Sequence, residues 1–204
     1  MPAVLASKPS AYWRLGEFSG TTAADSVGRT PALLEDGIAL HLDGPPLAGS
    51  KGQNRAPHLA GGRIRADVAF ATVEFWFWNG LPNDARAVTG WLASRGGSLG
   101  IGGTEKPDLT GRLFFESLPG KTDIPVKTWH HLVLSREGGD IRVFLDGRLE
   151  IEGKAGGVPT EGPLWLGGRA DGAASFEGRI DEAAVYSRAL SAKEAAAHFK
   201  AAFP

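Results

Sequence analysis

The 204-residue chain carries 22 Lys and Arg against 23 Asp and Glu, 29 Gly, 13 Pro and no Cys. A formal net charge of −1 argues against a broad nucleic-acid-binding surface, which needs many uncompensated cations against phosphate, and the lack of Cys excludes disulfides, thiolate metal sites and cysteine nucleophiles. Gly and Pro make up about a fifth of the residues against roughly an eighth in average proteins, so this chain, 42% hydrophobic and 22% charged, is rich in turns rather than disordered, and its length suits one large β domain.

Residues 1–9 read as a lead-in. The opening MPAVLAS has no basic stretch and too short an apolar run for a secretory signal. No segment approaches the roughly 18 apolar residues of a membrane-spanning helix. From residue 11 to 186, short alternating or apolar runs are bounded by Gly, Pro, Asn and Asp, the texture of an all-β sandwich or barrel. Strands are predicted at 12–15, 72–78, 88–94, 99–102, 112–117, 130–136, 141–145, 149–153, 164–167 and 176–186. In the second of these, period two puts Val73, Phe75 and Phe77 on one face and Glu74, Trp76 and Trp78 on the other. Between Ile141 and Leu149, Asp146-Gly147 supplies the two positive-φ positions of a tight hairpin. Asp36-Gly37, Asp43-Gly44 and Asp171-Gly172 mark further turns. Ser191 followed by Glu194 is a capping box, and the alanine-rich stretch after it predicts a helix over 191–201. No linker, composition shift or repeat divides the chain, so residues 10–204 read as a single domain.

Three segments together resemble the laminin-G-like family, in the bacterial branch of the concanavalin A-like jelly-roll sandwiches. They are AYWRLGE at 11–17 leading into SGTTAADSVG at 19–28, TWHHLVLSR at 128–136 continuing into VFLDG at 143–147, and FEGRIDEAAVYSRALS at 176–191. They fall in the family's order and cover the start, middle and end of the chain. The segment TVEFWFWNG at 72–80 looks like the versions attached to large multidomain proteins of planctomycete-type bacteria. The resemblance implies two facing antiparallel sheets with the first and last strands adjacent. It also implies an extracellular or cell-envelope setting. It does not by itself fix function, because such sandwiches host lectins, adhesion modules, protein-contact domains and some enzymes.

In such domains a structural calcium ion is often held between the N-terminal and C-terminal segments. The resemblance therefore points to Asp181 on the last strand, with Glu17 and Asp25 in the loop after the first strand and carbonyls from Gly16 or Gly178, since Ca²⁺ takes six to eight oxygen ligands. The competing reading is that Asp181 hydrogen-bonds backbone amides at a sheet edge and Asp25 caps a turn. Carbohydrate recognition rests on the resemblance together with six Trp, because sugar C–H faces stack on flat rings while hydroxyls bond to polar groups. If the Phe face of 72–78 is buried, Trp76 or Trp78 lines an outer, concave sheet face together with Trp91, Trp165 and Arg95. The competing reading is that strands covered on both sides bury aromatics on both faces. Trp13 and Trp129, inside family strand motifs, are expected to be more buried still.

Catalytic motifs do not survive their context. Gly96-Gly97-Ser98-Leu99-Gly100 has the spacing of a nucleophile elbow, which needs a strand before the serine and a helix after it, yet a glycine-rich strand and turn follow. His130 and His131 point to opposite faces of a strand and cannot readily share an ion. Glu150 and Glu152 sit after a hairpin and read as a solvated edge rather than as the carboxylate pair of a glycosidase. The Glu-x-Asp-x-x-Glu motif of related glycanases is missing, and no glycine run has P-loop spacing. The sequence thus points to a non-catalytic module of a larger exported protein that binds a glycan or glycosylated surface. A structural or protein-interaction module and a sandwich-fold glycanase or lyase are the alternatives.

Overall fold

The computed structural model describes residues 1–28, 30–50, 52–155 and 162–203. In chain order these hold α1 (Pro2–Ala6), β1 (Ala11–Trp13), β2 (Thr22–Ala23), β3 (Ala32–Leu34), β4 (Ile38–Asp43), β5 (Arg55–Ala60), β6 (Ile64–Ala66), β7 (Thr72–Asn79), β8 (Val88–Arg95), β9 (Gly97–Gly102), β10 (Arg112–Phe115), β11 (Leu118–Asp123), β12 (Trp129–Glu137), β13 (Asp140–Leu145), β14 (Arg148–Lys154), β15 (Leu164–Leu166), β16 (Glu177–Tyr186) and α2 (Ala192–Ala202). The strands form two antiparallel sheets. Sheet A has the order β14-β13-β12-β7-β16-β5-β4 with β1 on β16, and sheet B has the order β11-β10-β9-β8-β15-β6-β3-β2. Ala11 lies opposite Val185 and Trp13 opposite Ala183, so the first and last strands are neighbours, as the resemblance implied.

The β-branched and aromatic run of β7 places it at the centre of sheet A, where both of its faces are covered. Its inner residues Val73, Phe75 and Phe77 join Leu132, Leu134, Ile180, Leu92, Leu99, Phe115 and Leu166 in the core between the sheets. Much of the outer face of sheet A is covered by the two helices. Val4 of α1 and Ala195 of α2 pack there with Tyr12, Val133, Phe144, Tyr186 and Leu190. The residues read as a lead-in thus contain a short helix that is part of the packing. At α2 the capping box forms as expected, with the Ser191 side chain accepting from the Glu194 amide and the Glu194 carboxylate accepting from the Ser191 amide. The hairpin turn also forms, with Asp146 at φ 50° and Gly147 at φ 74°. A Cβ on Gly147 would come within 2.9 Å of the Ala196 Cα, so the turn is docked on the helix.

Strands β2 to β6 and β11 escape the sequence pattern. They are two to six residues long, and β5 contains Pro57, which ordinarily argues against a strand. Several pair with strands far off in sequence, as β3 does with β6 and β5 with β16, whereas β11 closes a tight hairpin with β10.

Glu150 departs from the solvated-edge reading. It is buried, with 7% of its surface exposed. Its Oε1 accepts the Lys121 and Thr122 amides at 2.6 and 2.7 Å, and its Oε2 accepts the Thr122 hydroxyl at 2.7 Å. A carboxylate therefore ties edge strand β11 of sheet B to β14 of sheet A and satisfies amides that a sheet edge leaves open. Only Glu152 fits the expectation, pairing at 3.0 Å with exposed Arg142. Glu150→Ala is expected to lose about 2 kcal/mol from these charge-assisted bonds. In thermal denaturation that is a fall of roughly 4–8 °C, and Glu150→Gln, which keeps an accepting oxygen, should lose less than half as much. A Glu150→Ala protein melting with the wild type would show that the tie carries no stability.

Candidate functional site

The aromatic residues singled out in the sequence do not share one surface. Trp76 does point outward from sheet A, but it is fully buried beneath α2. Its ring is 6.0 Å from Phe199 and 5.3 Å from Phe203, with Leu47 and Ala202 beside it. The helix that the sequence predicted covers the face that the sequence had offered to a ligand, so Trp76 is a core residue. Trp78 lies on the same outer face at the sheet's end and is half-buried. Trp129, Trp78, Arg179 and His58 are consecutive cross-strand partners there, with the Arg179 guanidinium 4.7 Å from the Trp78 ring centre and the His58 ring at 6.3 Å. Burial, and then the charge of Arg179, lowers the pKa of His58. Trp129 is half-buried rather than deeply enclosed, whereas Trp13 is fully buried and donates its indole N–H to the Thr30 carbonyl at 2.8 Å.

Trp91, Arg95 and Trp165 belong to the opposite face of the molecule, the outer surface of sheet B. Alternation fixes this directly: Leu164 and Leu166 enter the core, so Trp165 between them faces out. Trp165 pairs with Ser94, and Ser94 pairs with Ser98. Ser98 in turn exchanges bonds with Glu116, donating its amide to Oε1 at 2.6 Å. Together they floor a groove of about 500 Å³ whose remaining lining includes Arg95, Gly162, Pro163, Arg169 and Asp171. Among the described residues no α-helix covers this face.

Several side chains in and around the groove are tied by hydrogen bonds and ring contacts. Arg63 lies over Trp165, 4.4 Å from the ring centre, and is pinned by two bonds to Glu35 at 2.6 and 2.9 Å and by one to the Arg169 carbonyl. Arg95 donates to the Gly162 carbonyl at 2.9 Å and lies 5.1 Å from the Phe70 ring. Arg169 spans from Asp171, at 2.5 Å, to the Trp91 ring, 4.9 Å away. Trp91 lies across Gly100, where a Cβ would approach its ring to 2.8 Å, and meets Phe114 edge-on at 5.2 Å. Arg95 and Arg169 in the lining balance Glu116 and Asp171, so the groove favours a neutral polar ligand with an apolar face. Ser94, Ser98, Glu116, Arg169 and Asp171 were not singled out as ligand contacts. For Ser94 and Ser98 the available signal was alternation against Trp165, whereas the other three depend on sheet pairing and loop placement.

Ser98 confirms the objection to a nucleophile elbow, since it lies inside strand β9 with no helix after it. His130 and His131 do point to opposite sides. His130 sits 5.6 Å from Phe77 of the core and 2.8 Å from Asp146, while His131 packs beside Trp76 under α2.

The acidic trio divides two against one. Asp25 is committed to backbone amides: Oδ1 accepts from Tyr12 at 2.9 Å and Val27 at 3.1 Å, and Oδ2 accepts from Thr30 at 3.2 Å. That is the turn-capping role. Glu17 uses Oε1 for the Ala24 amide at 3.0 Å, but its Oε2 is buried with no partner. Asp181 is fully buried and accepts from the Asn54 side chain at 2.6 Å through Oδ2, leaving its buried Oδ1 unpartnered. Burial pushes the Asp181 carboxyl well above its usual range, and the nearby charge of Glu17 adds to that. Among the described residues no three His, Asp or Glu side chains cluster as a metal site.

Comparison with known proteins places this arrangement. Domain 4 of AbnA, a GH43 extracellular arabinanase from Geobacillus stearothermophilus solved with arabinotriose, superposes with a TM-score of 0.69 at 21% identity over 93% of this chain and 97% of that one. The ligand-binding domain of botulinum neurotoxin serotype D, solved with N-acetylneuraminic acid, gives 0.68 at 10% identity over 97% of this chain and 52% of that one. Trypanosoma rangeli sialidase gives 0.66 at 13% identity over 93% and 32%. These likenesses establish the fold. No curated protein matches the chain significantly in sequence. Residues 61–196 match the Laminin_G_3 family of the Concanavalin A-like lectin/glucanases superfamily, and the chain belongs to that family.

Proposed function

We propose that this domain is a carbohydrate-binding module whose site is the groove on sheet B. The observation that carries the reading is the open groove with the half-buried Trp165 ring beside balanced charges and serine hydroxyls, the combination that one sugar face and its hydroxyls require. Fold neighbours that hold arabinotriose and N-acetylneuraminic acid support it. The module binds without cleaving. A hydrolytic acid must stay protonated near neutrality, whereas Asp171 in the groove is held below its usual range by the Ala173 amide and Arg169. Like the fourth domain of the arabinanase, it would serve a larger extracellular protein. A glycan array read in parallel with a polysaccharide-turnover assay tests this. Saturable binding without released sugar is the expected result, turnover would establish an enzyme, and silence across the array would favour a protein-interaction module.

A calcium site is a second proposal, carried by the unpartnered buried oxygens of Glu17 and Asp181. A divalent cation with hard oxygen ligands satisfies both, with Asp25 left to its turn. When bound, the ion would neutralise the buried carboxylates and tie the loop after β1 to β16. Wild-type protein is expected to melt several degrees higher in millimolar Ca²⁺ than in chelator, as a ligand at a hundred times its Kd adds about 2.7 kcal/mol. Asp181→Asn should abolish the difference. Identical melting of the wild type in the two buffers would end the proposal.

A further inference from the structure

Most arginines of this chain are committed to a carboxylate, as Arg63, Arg86, Arg169 and Arg188 are. Arg148 is not. It follows the Asp146-Gly147 turn, is exposed, and its side chain makes no ion pair, hydrogen bond or ring contact among the described residues. It lines two neighbouring cavities, of about 430 and 490 Å³, which also share Asp146 and Phe199. The first reaches Lys200 and Phe203 at the end of α2, and the second reaches Lys121 on β11 and Leu149 on β14. Together they make a cleft between the hairpin and the helix. None of its lining residues belongs to the groove on sheet B.

We propose that this cleft docks a short acidic segment of a partner polypeptide, its apolar side chains on Leu149, Phe199 and Phe203 and its carboxylates on Arg148, Lys121 and Lys200. Charge complementarity selects the partner. Lys121 and Lys200 are exposed and, like Arg148, have no side-chain partner among the described residues. Three elements thus present open cationic donors around one apolar surface, in which Leu149 and Phe203 are 39% and 37% exposed. The carboxylates of the lining are already engaged. Asp146 accepts the His131 amide at 2.8 Å through Oδ1 and lies 2.8 Å from His130 Nδ1 through Oδ2, and both oxygens of Glu150 are taken by β11. The carbonyl end of α2 lies at the same cleft, where Lys200 in the last turn offsets its partial negative charge. A sugar hydroxyl needs acceptors as well as donors, and the open side-chain groups here are all donors. An anionic membrane is flat and would meet a concave site only at its rim. Apolar anchors flanked by carboxylates satisfy both halves of the lining, as in other recognition of acidic motifs by cationic clusters. The proposal stands apart from the glycan reading. Because cleft and groove share no residue, a docked segment and a bound glycan would not compete.

The test is a spot array of short peptides that vary independently in acidic and apolar content, probed with the whole chain and followed by fluorescence polarisation of the best binders. Peptides that combine Glu or Asp with Leu or Phe are expected to bind saturably and more weakly as salt is added. Their Gln and Asn counterparts should bind at least about tenfold less tightly, and so should acidic peptides without apolar residues. Arg148→Glu should weaken the best peptide by about tenfold or more, since an attractive contact becomes a repulsive one. Lys200→Glu, on a different element, should act in the same direction. Lys193→Glu carries the same change of net charge at an exposed position outside the cleft and should leave binding within about twofold. Circular dichroism checks the fold of each variant. Silence of every acidic apolar peptide, or equal binding by wild type, Arg148→Glu and Lys200→Glu, would overturn the proposal. Sedimentation with phosphatidylserine vesicles that Arg148→Glu abolishes, in the absence of peptide binding, would overturn it in favour of a lipid surface.

Discussion

Replacing Glu74 with alanine is expected to destabilise the protein by about 3–5 kcal/mol, the range for removing one partner from a buried charged network. Glu74 lies on the outer face of β7 and is 1% exposed. The Tyr186 hydroxyl donates to its Oε1. His198 Nδ1 lies 2.9 Å and His131 Nε2 3.3 Å from its Oε2, and the far nitrogen of His198 meets the Ser7 hydroxyl at 2.8 Å. One carboxylate thus joins sheet A to α2 and to the segment after α1. Burial alone would raise its pKa, but the hydrogen bonds from His131 and His198 outweigh it and hold the carboxyl at about 2, from 4.5. Because the folded value is depressed, the stabilisation is present above the ordinary carboxylate range and is lost as the pH falls from about 4.5 through 2. The linkage is on the order of 3 kcal/mol. The melting temperature of Glu74→Ala should fall by roughly 6–20 °C for a chain of this size. Glu74→Gln, which cannot ionise, should flatten the acid limb of stability between those pH values. A steep acid limb unchanged in Glu74→Gln would assign acid unfolding to other groups.

Trp165→Ala is expected to weaken glycan binding about a hundredfold. Stacking a sugar on the ring removes on the order of 100 Å² of apolar surface from water, worth about 2.5 kcal/mol at roughly 25 cal/mol per Å², and each 1.4 kcal/mol is about tenfold in Kd. Isothermal titration with the best glycan of the array measures it, and circular dichroism checks that the half-buried ring is not needed for folding. Trp78→Ala, on the opposite sheet, should leave Kd within about twofold. The reverse pattern would move the site to the row of Trp129, Trp78, Arg179 and His58.

Local patterns carried the sequence reading wherever strands were long. The alternation of β7 sorted Val73, Phe75 and Phe77 from Glu74, Trp76 and Trp78, Asp146-Gly147 named its turn, and Ser191 with Glu194 named the start of α2, because each depends on residues within a few positions. Short strands such as β3, which pairs with β6, and β5 with its Pro57, which pairs with β16, depend on partners dozens of residues away and left no local mark. Glu150 illustrates the same limit: nothing in its neighbours along the chain reveals that two amides of β11 converge on it.

For the candidate site, the sequence offered Trp76, Trp78, Trp91, Arg95 and Trp165 together, on the resemblance and on the six Trp whose flat rings suit a sugar face. It could not tell Trp165 from Trp76, which has the same alternation and the opposite fate. Periodicity states only which residues share a face. Which face is covered was decided by where α1 and α2 came to rest: they dock on the outer face of sheet A, over Tyr12, Val133, Phe144, Tyr186 and Trp76. The sequence by itself therefore determined an all-β chain with a capped terminal helix and a set of candidate rings. Only tertiary packing divided those rings between core and groove, because burial depends on contacts made across the whole chain.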